Sequence, residues 1–209
     1  MNQTLHLHGA LTGNCIRAAI ALEEAGIPYK ITHLALSQGE HREAAHLAIN
    51  PHGKVPTLII PDKGKTFALS QSNAIVLYAA ETGPNRLIPQ QDPLARALTL
   101  ERFFFFVTDV IALSHAAWAL RPQSPSPAIQ ALNERAVTAL LSTEKYVETS
   151  PFMAGDAFSI ADIAAFTIAD FMRDTLDWDA HPHFSRWFQA ISMRPAVMRG
   201  QAAFLVADA

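Results

Sequence analysis

A single cysteine, Cys15, leaves the chain unable to form an internal disulfide. A fold that does not depend on oxidation suits the reducing cytoplasm. The N-terminal stretch Met1-Asn2-Gln3-Thr4-Leu5-His6-Leu7-His8 has neither the basic patch nor the apolar run of a secretory signal, which points to the same compartment. Charge is also sparse: charged residues make up 17% of the 209 residues, against about a quarter in ordinary globular chains. The net charge is −3 and the basic residues form no run, so nucleic acid is not an expected partner. There is no phosphate-binding glycine loop and no Ser-His-Asp set. The pairs His6/His8 and His181/His183 lack a matched third ligand, so no metal is expected. The most apolar window, residues 103–120, contains Asp109 and His115 and follows Glu101 and Arg102. A segment so interrupted is not expected to cross about 30 Å of hydrocarbon, so no membrane span is expected.

What remains is material for a core, since half of the residues are apolar. At about 150 residues per domain, the length fits one large domain or two small ones. Residues 4–8 alternate Leu5 and Leu7 with histidines, the period of a half-buried strand, and a glycine-bounded turn follows at 9–13. Ile16, Ala19, Ile20 and Leu22 recur at helical spacing over 14–25, and Gly26 with Pro28 stops the helix. A strand over 29–34 completes a β-α-β unit, which favours a parallel pair with a right-handed crossover. A short helix over 40–48 is broken by Asn50, Pro51 and Gly53. Strands 55–60 and 65–69 flank the turn Pro61-Asp62-Lys63-Gly64 as an antiparallel hairpin, and a helix over 72–81 closes at Gly83-Pro84.

Beyond Pro84 no strand pattern appears. Pro93 suits a first helical position, and its helix runs toward Leu120 before Pro122, Pro125 and Pro127 forbid continuation. Helices are predicted over 128–148, 159–171 and 182–193, with a short one after Pro195. The expected domains are therefore an α/β domain at 1–83, a linker at 84–92 and an all-helical domain at 93–209. Within the last, Phe158-Ser159-Ile160-Ala161-Asp162-Ile163 offers an N-cap, a carboxylate three residues on and a hydrophobic staple. That box has a folding role.

Two other motifs point to chemistry. In Asn50-Pro51-His52-Gly53-Lys54-Val55-Pro56-Thr57-Leu58, proline opens a strand and forces Val55 into extended backbone, whose N–H and C=O could pair with an extended peptide. Gln71-Ser72-Asn73 places small polar groups at a helix opening, where free amides and the dipole attract a carboxylate.

These two motifs and the Gly155-x-x-Phe158-Ser159-x-Ala161-Asp162 box occur in the order and at the intervals of the soluble glutathione transferases, which the chain resembles over nearly its whole length. The likeness is to bacterial, theta-, beta- and nu-like members. It implies a thioredoxin-like N-terminal domain, an all-α C-terminal domain, a cis peptide before Pro56 and a homodimer. It also implies glutathione as co-substrate and an apolar electrophile as second substrate. On that resemblance Val55 and Pro56 meet the cysteinyl part of glutathione. Ser72 holds the γ-glutamyl carboxylate, with Gln71 orienting that end. Lys54 and His41 fall where the glycine carboxylate binds, and His52, a further glutathione-binding candidate, stands in place of a residue that is often Gln.

Activation of the thiol is open between two alignments. Against members with Ser-Pro-Asn or Thr-Pro-Asn at this turn, Thr12 becomes the hydroxyl donor and Asn14 a second donor, with Gly13 in place of proline. Against beta-class members without a gap, Asn14 takes the place of their cysteine and Cys15 follows it. Cys15 near a helix N-terminus is then either a reactive thiol that forms mixed disulfides with glutathione or a buried inert one. Thr12, Asn14 and Cys15 are the catalytic candidates. Leu11, Phe106, Val110, Leu113 and Trp118 are candidates for lining an apolar electrophile pocket. Conjugation is the leading activity. Glutathione-dependent disulfide reduction, or non-catalytic binding of glutathione or apolar ligands, are the alternatives.

Overall fold

The computed structural model describes residues 4–121 and 126–205. Pro122 and Pro125, expected to end a helix, lie outside the described residues, as do residues 1–3 and 206–209. The chain divides into two compact units, one formed by residues up to Leu87 together with those from Arg194 onward, the other by Ile88–Met193.

The first unit is built on a four-stranded sheet of order β2-β1-β3-β4, with β1 Leu5–Gly9, β2 Tyr29–His33, β3 Thr57–Asp62 and β4 Lys65–Ser70. β1 runs parallel to β2 and antiparallel to β3, and β3 runs antiparallel to β4. The β-α-β unit is closed by α1, Gly13–Ala25, whose buried face includes Cys15, Ala18, Ala19, Ile20 and Leu22. α3, Ser72–Thr82, packs beside it and buries Ile75, Val76, Ala79 and Ala80. This is the thioredoxin-like arrangement that the family resemblance implied. The hairpin turn is tighter than predicted. Lys63 and Gly64 both have positive φ, 44° and 84°, and form a two-residue turn of the kind whose twist matches the flanking strands. The short helix predicted over 40–48 resolves into single turns at Leu36–Gln38 and Glu40–Arg42, followed by α2, Ala44–Leu47.

The second unit is helical: α4 Pro93–Phe105, α5 Ala112–Leu120, α6 Pro127–Leu141, α7 Glu144–Val147, α8 Ile160–Phe171 and α9 Pro182–Ser192. Between α4 and α5 the helix widens to i→i+5 bonding over Phe106–Ile111. There the Thr108 hydroxyl donates to the Phe104 carbonyl at 2.9 Å, the acceptor an α-helix would give to the Thr108 amide. The continuous helix Pro93–Leu120 spans 28 residues and its most apolar window has mean hydropathy 1.7. By length and composition alone it could therefore cross a membrane, contrary to the sequence expectation. Its stripe of Phe103, Phe106, Val110, Ile111 and Ala117 is buried and packs toward α6 and α8, while the window as a whole is 33% buried. The helix predicted over 128–148 breaks after Leu141. Ser142 and Thr143 turn their hydroxyls back to the carbonyls of Ala139 and Leu140, at 2.7 and 2.6 Å, and so compete with the helical ladder.

The last helix, α10 Pro195–Ala202, groups with the first unit rather than with the helical domain expected over 93–209. It crosses α1 closely enough that a Cβ on Gly200 would fall 2.5 Å from Ile20 Cγ1 and 2.7 Å from the Ile20 amide nitrogen. Arg194 forks onto both carboxylate oxygens of Glu24, at 2.6 and 2.7 Å, and Arg199 meets Glu23 at 2.6 Å.

Candidate functional site

Strand register assembles the site. His8 pairs with Thr57, and Thr57 pairs with Ser70. The turn after β1, the loop ending at Pro56 and the entry to α3 therefore emerge at one end of the sheet. Thr12 and Asn14, Val55 and Pro56, and Gln71 and Ser72 sit on those three segments.

At the first segment Thr12 has extended backbone and is the N-cap of α1, its Oγ1 accepting from the Cys15 N–H at 3.3 Å. A hydroxyl that accepts there still has its own proton to donate, so capping and a donor role are compatible. Asn14 is held from below. Its Oδ1 accepts from Arg17 Nη1 at 2.7 Å and lies 3.5 Å from Ser72 Oγ. The same Arg17 nitrogen donates to Ser72 Oγ at 3.3 Å. Arg17, Asn14 and Ser72 thus form one polar cluster across α1 and α3. Arg17 was not among the candidates read from the sequence. Its signal was the spacing: three positions after Asn14 it falls on the same helix face, among apolar positions where a charge needs partners. Burial pulls its pKa down to about 10, which leaves it charged at neutral pH.

At the third segment the N-cap of α3 is Gln71, not Ser72, and among the described residues no side chain caps this helix. Gln71 has φ 96° and ψ 111°, a conformation that L-residues rarely adopt and that costs about 1–3 kcal/mol. Ser72 is the first helical residue, so its hydroxyl is free of the capping role that would otherwise explain it.

The middle loop is fixed from within. Buried Asn50 donates to the Lys54 carbonyl at 2.7 Å and to Thr57 Oγ1 at 3.1 Å, and accepts from the His52 N–H at 3.2 Å. His46 Nε2 lies 3.0 Å from the same Lys54 carbonyl. Gly53 has φ 56°, and a Cβ there would lie 3.1 Å from the His41 carbonyl oxygen. The bend therefore needs glycine, and it brings the His41 and Lys54 segments together. The Lys54 and His52 side chains are exposed, and His41 is half-buried with an enclosed Nδ1 that has no hydrogen-bond partner among the described residues. The Val55–Pro56 peptide is cis, and Val55 makes no backbone hydrogen bond among the described residues.

Two groups of candidates do not join this cluster. Cys15 is fully buried, its Sγ accepting from the Ala10 N–H at 3.5 Å. Burial pushes its thiol pKa up, against smaller opposing effects from Thr12 and the Ala10 amide. The structure thus selects the inert thiol over the reactive one, because a sulfur without access to solvent cannot meet a second sulfur. Of the residues assigned to an electrophile pocket, Phe106 and Val110 are wholly buried in the core of the helical unit and line no groove. They point inward because the four consecutive phenylalanines divide around the helix, with Phe103 and Phe106 inside and Phe104 outside. Leu113 is half-buried, while Leu11 in the first unit and Trp118 in the second are each 58% exposed. Among the described residues no group of three or more His, Cys, Asp or Glu is placed to hold a metal ion.

Comparison with known proteins bears on this geometry. Residues 13–82 match the family description "Glutathione S-transferase, N-terminal domain" and residues 105–195 match "Glutathione S-transferase, C-terminal domain". The chain is 30% identical to the disulfide-bond oxidoreductase YfcG of Escherichia coli K12, over 95% of this chain and 94% of that protein. It is 31% identical to the glutathione S-transferase GstB of the same strain, over 89% and 91%. A glutathione transferase homologue of Lodderomyces elongisporus, solved with two glutathiones per subunit, superposes with TM-score 0.83 at 25% identity, covering 95% of this chain and 98% of that one. A glutathione transferase of Burkholderia graminis shares the fold with TM-score 0.84 at 24% identity, covering 96% and 88%. With both of its domains matched and relatives aligned nearly end to end, the chain belongs to the glutathione transferase family.

Proposed function

We propose that this glutathione transferase binds glutathione across the three segments at the end of its sheet and transfers the thiolate to an apolar electrophile. The observation that carries this reading is the Asn14–Arg17–Ser72 cluster, which joins the turn after β1 to the uncapped start of α3. In this reading the γ-glutamyl carboxylate meets the Ser72 hydroxyl and the first amides of α3, with Gln71 orienting it. The cysteinyl backbone pairs with Val55 ahead of Pro56, and Lys54, His41 and His52 face the glycine carboxylate. Thr12 donates its hydroxyl proton to the sulfur and Asn14 its amide. A free thiol has a pKa near about 8.5, and two donors with a helix N-terminus favour the thiolate over it. The thiolate then bonds to the electrophilic carbon, the leaving group departs with its electron pair, and the thiol proton goes to solvent. In this reading exposed Leu11, on the turn after β1, meets the apolar partner. A homodimer in the cytoplasm, serving detoxification, is the setting that accompanies this activity.

Glutathione-dependent disulfide reduction is the second reading, favoured by the likeness to YfcG. Because Cys15 is buried, that chemistry would run between glutathione sulfurs held at Thr12 and Asn14, with no protein sulfur in the exchange. Turnover of an aromatic halide and of a small mixed disulfide of glutathione, measured side by side, decides between the two. Conjugation predicts turnover of the halide. Glutathione binding with neither turnover overturns both catalytic readings.

A further inference from the structure

Arg17 is only 2% exposed, yet its guanidinium touches both ends of the cluster. We infer that Arg17 is a positioning residue of the thiol site, fixing the Asn14 amide and the Ser72 hydroxyl so that each turns its own donor toward glutathione. The inference rests on the glutathione reading of the site.

The argument is one of donor and acceptor inventory. A guanidinium donates and never accepts. At 2.7 Å from Arg17 Nη1, the Asn14 side chain must present its oxygen inward, which leaves the Nδ2 protons for the opposite side. Without that cation the amide could sit either way round, and one of the two orientations would turn an acceptor toward the thiolate. The logic repeats at Ser72, whose Oγ accepts from the same nitrogen at 3.3 Å and so keeps its proton to give. Among the described residues that proton points to Asn14 Oδ1, at 3.5 Å. A carboxylate is a stronger acceptor and displaces so long a contact. Burial also matters because an enclosed positive charge acts at lower effective dielectric than a surface one. It lies beneath the two positions where glutathione brings negative charge, the sulfur and the γ-glutamyl carboxylate. Both acceptors are met by the protons of one guanidinium nitrogen, and lysine would keep the charge on a compact ammonium with a different stem, so it is not placed to meet both in the same geometry.

The test measures the thiol pKa of bound glutathione from its thiolate ultraviolet absorbance, in the wild-type protein, Arg17→Met, Arg17→Lys, Asn14→Ala and the double variant Asn14→Ala/Arg17→Lys. Circular dichroism reports folding. In Arg17→Met the bound thiol pKa is expected to rise by about one unit, the size of effect a nearby charge and oriented donor exert. Arg17→Lys restores part of it. In the Asn14→Ala background Arg17→Lys shifts the pKa by less than it does alone, because much of its effect passes through the amide. Titration with S-methylglutathione, which has no thiol proton, isolates the other arm, and Arg17→Met is expected to weaken its binding about fivefold or more. A folded Arg17→Met with the wild-type thiol pKa overturns the inference. If Arg17→Met does not fold, Arg17→Lys decides: a wild-type pKa, or a shift that simply adds to that of Asn14→Ala, overturns it. Wild-type protein that binds no glutathione overturns the site reading and this inference together. Wild-type binding with an ionised thiol that all Arg17 variants reproduce overturns the inference alone.

Discussion

Thr12 shows how one side chain can serve fold and chemistry together. Its oxygen caps α1 while its proton is left over. Thr12→Ala is therefore expected to lower thermal stability by about 1 kcal/mol through the lost cap. It also lowers kcat by about 10- to 100-fold, the worth of about 1.5–3 kcal/mol for a hydrogen bond to a charged group. Thr12→Ser should retain both, and kinetics unchanged in Thr12→Ala would remove this hydroxyl from the mechanism. Ser72→Ala reads the other end of the tripeptide. Its dissociation constant for glutathione should rise about tenfold, and an unaltered constant counts against the carboxylate contact. Val55 and Ser72 could be singled out from the chain because an extended residue ahead of Pro56 and small polar groups at a helix opening follow from backbone rules, whereas Lys54 and His41 came only through the family resemblance. Spacing could place Arg17 on the Asn14 face of its helix but not beside Ser72, because nothing along the chain says that Asn14 and Ser72, 58 residues apart, meet at 3.5 Å. Cys15 was undecided for a similar reason, since the exposure of a thiol depends on what the rest of the chain lays over it.

At the level of elements, α8 is the case where local sequence was sufficient. Ser159 and Asp162 form the expected capping box, with Asp162 Oδ2 accepting from the Ser159 N–H at 3.0 Å. Tertiary structure adds two more donors to the same carboxylate: the Met153 N–H at 2.8 Å and Trp187 Nε1 at 2.9 Å. Asp162→Ala would therefore strand several buried donors, and a loss of about 3 kcal/mol is expected from denaturant unfolding. A loss under about 1 kcal/mol would reduce the box to an ordinary cap. α10 is the opposite case. Its sequence reads as one more terminal helix of the helical domain, yet Gly200 allows it to lie directly on Ile20 of α1. Gly200→Ala overpacks that crossing and should cost about 1–3 kcal/mol, seen as a lowered unfolding midpoint. An unchanged midpoint would mean that the two helices separate without cost.

For the whole molecule, buried carboxylates set how stability responds to acid. Burial is the largest influence on Asp162 and pushes its pKa up to about 6, from an ordinary 3.8, despite its donors. The folded protein then holds this proton more tightly than the unfolded chain does. The stability it contributes is complete below about pH 4 and is lost as pH rises toward about 6. Glu144 acts in the other direction. Burial pushes its pKa up, but hydrogen bonds from His181 at 2.6 Å and from the N–H groups of His183 and Phe184 outweigh that and hold it below the ordinary 4.5. Its contribution is present above that value and is lost as acid protonates it. Chemical denaturation across pH 3–7 should show the Asp162 component as a fall in stability with rising pH that Asp162→Asn abolishes. A variant that keeps the wild-type slope would assign the slope to other groups.

The chain by itself determined the order of strands and helices, the two-part composition, the hairpin, the α8 cap and the family. Each of these is written in periodicity, turn residues and motifs that act over a few neighbouring positions. Only the tertiary structure decided that Arg17 lies under Asn14 and Ser72, that Cys15 is sealed, that Phe106 and Val110 face inward and that α10 joins the first unit. Those outcomes depend on which surfaces exclude water from one another across long stretches of chain, a property of the packed whole that no local pattern encodes.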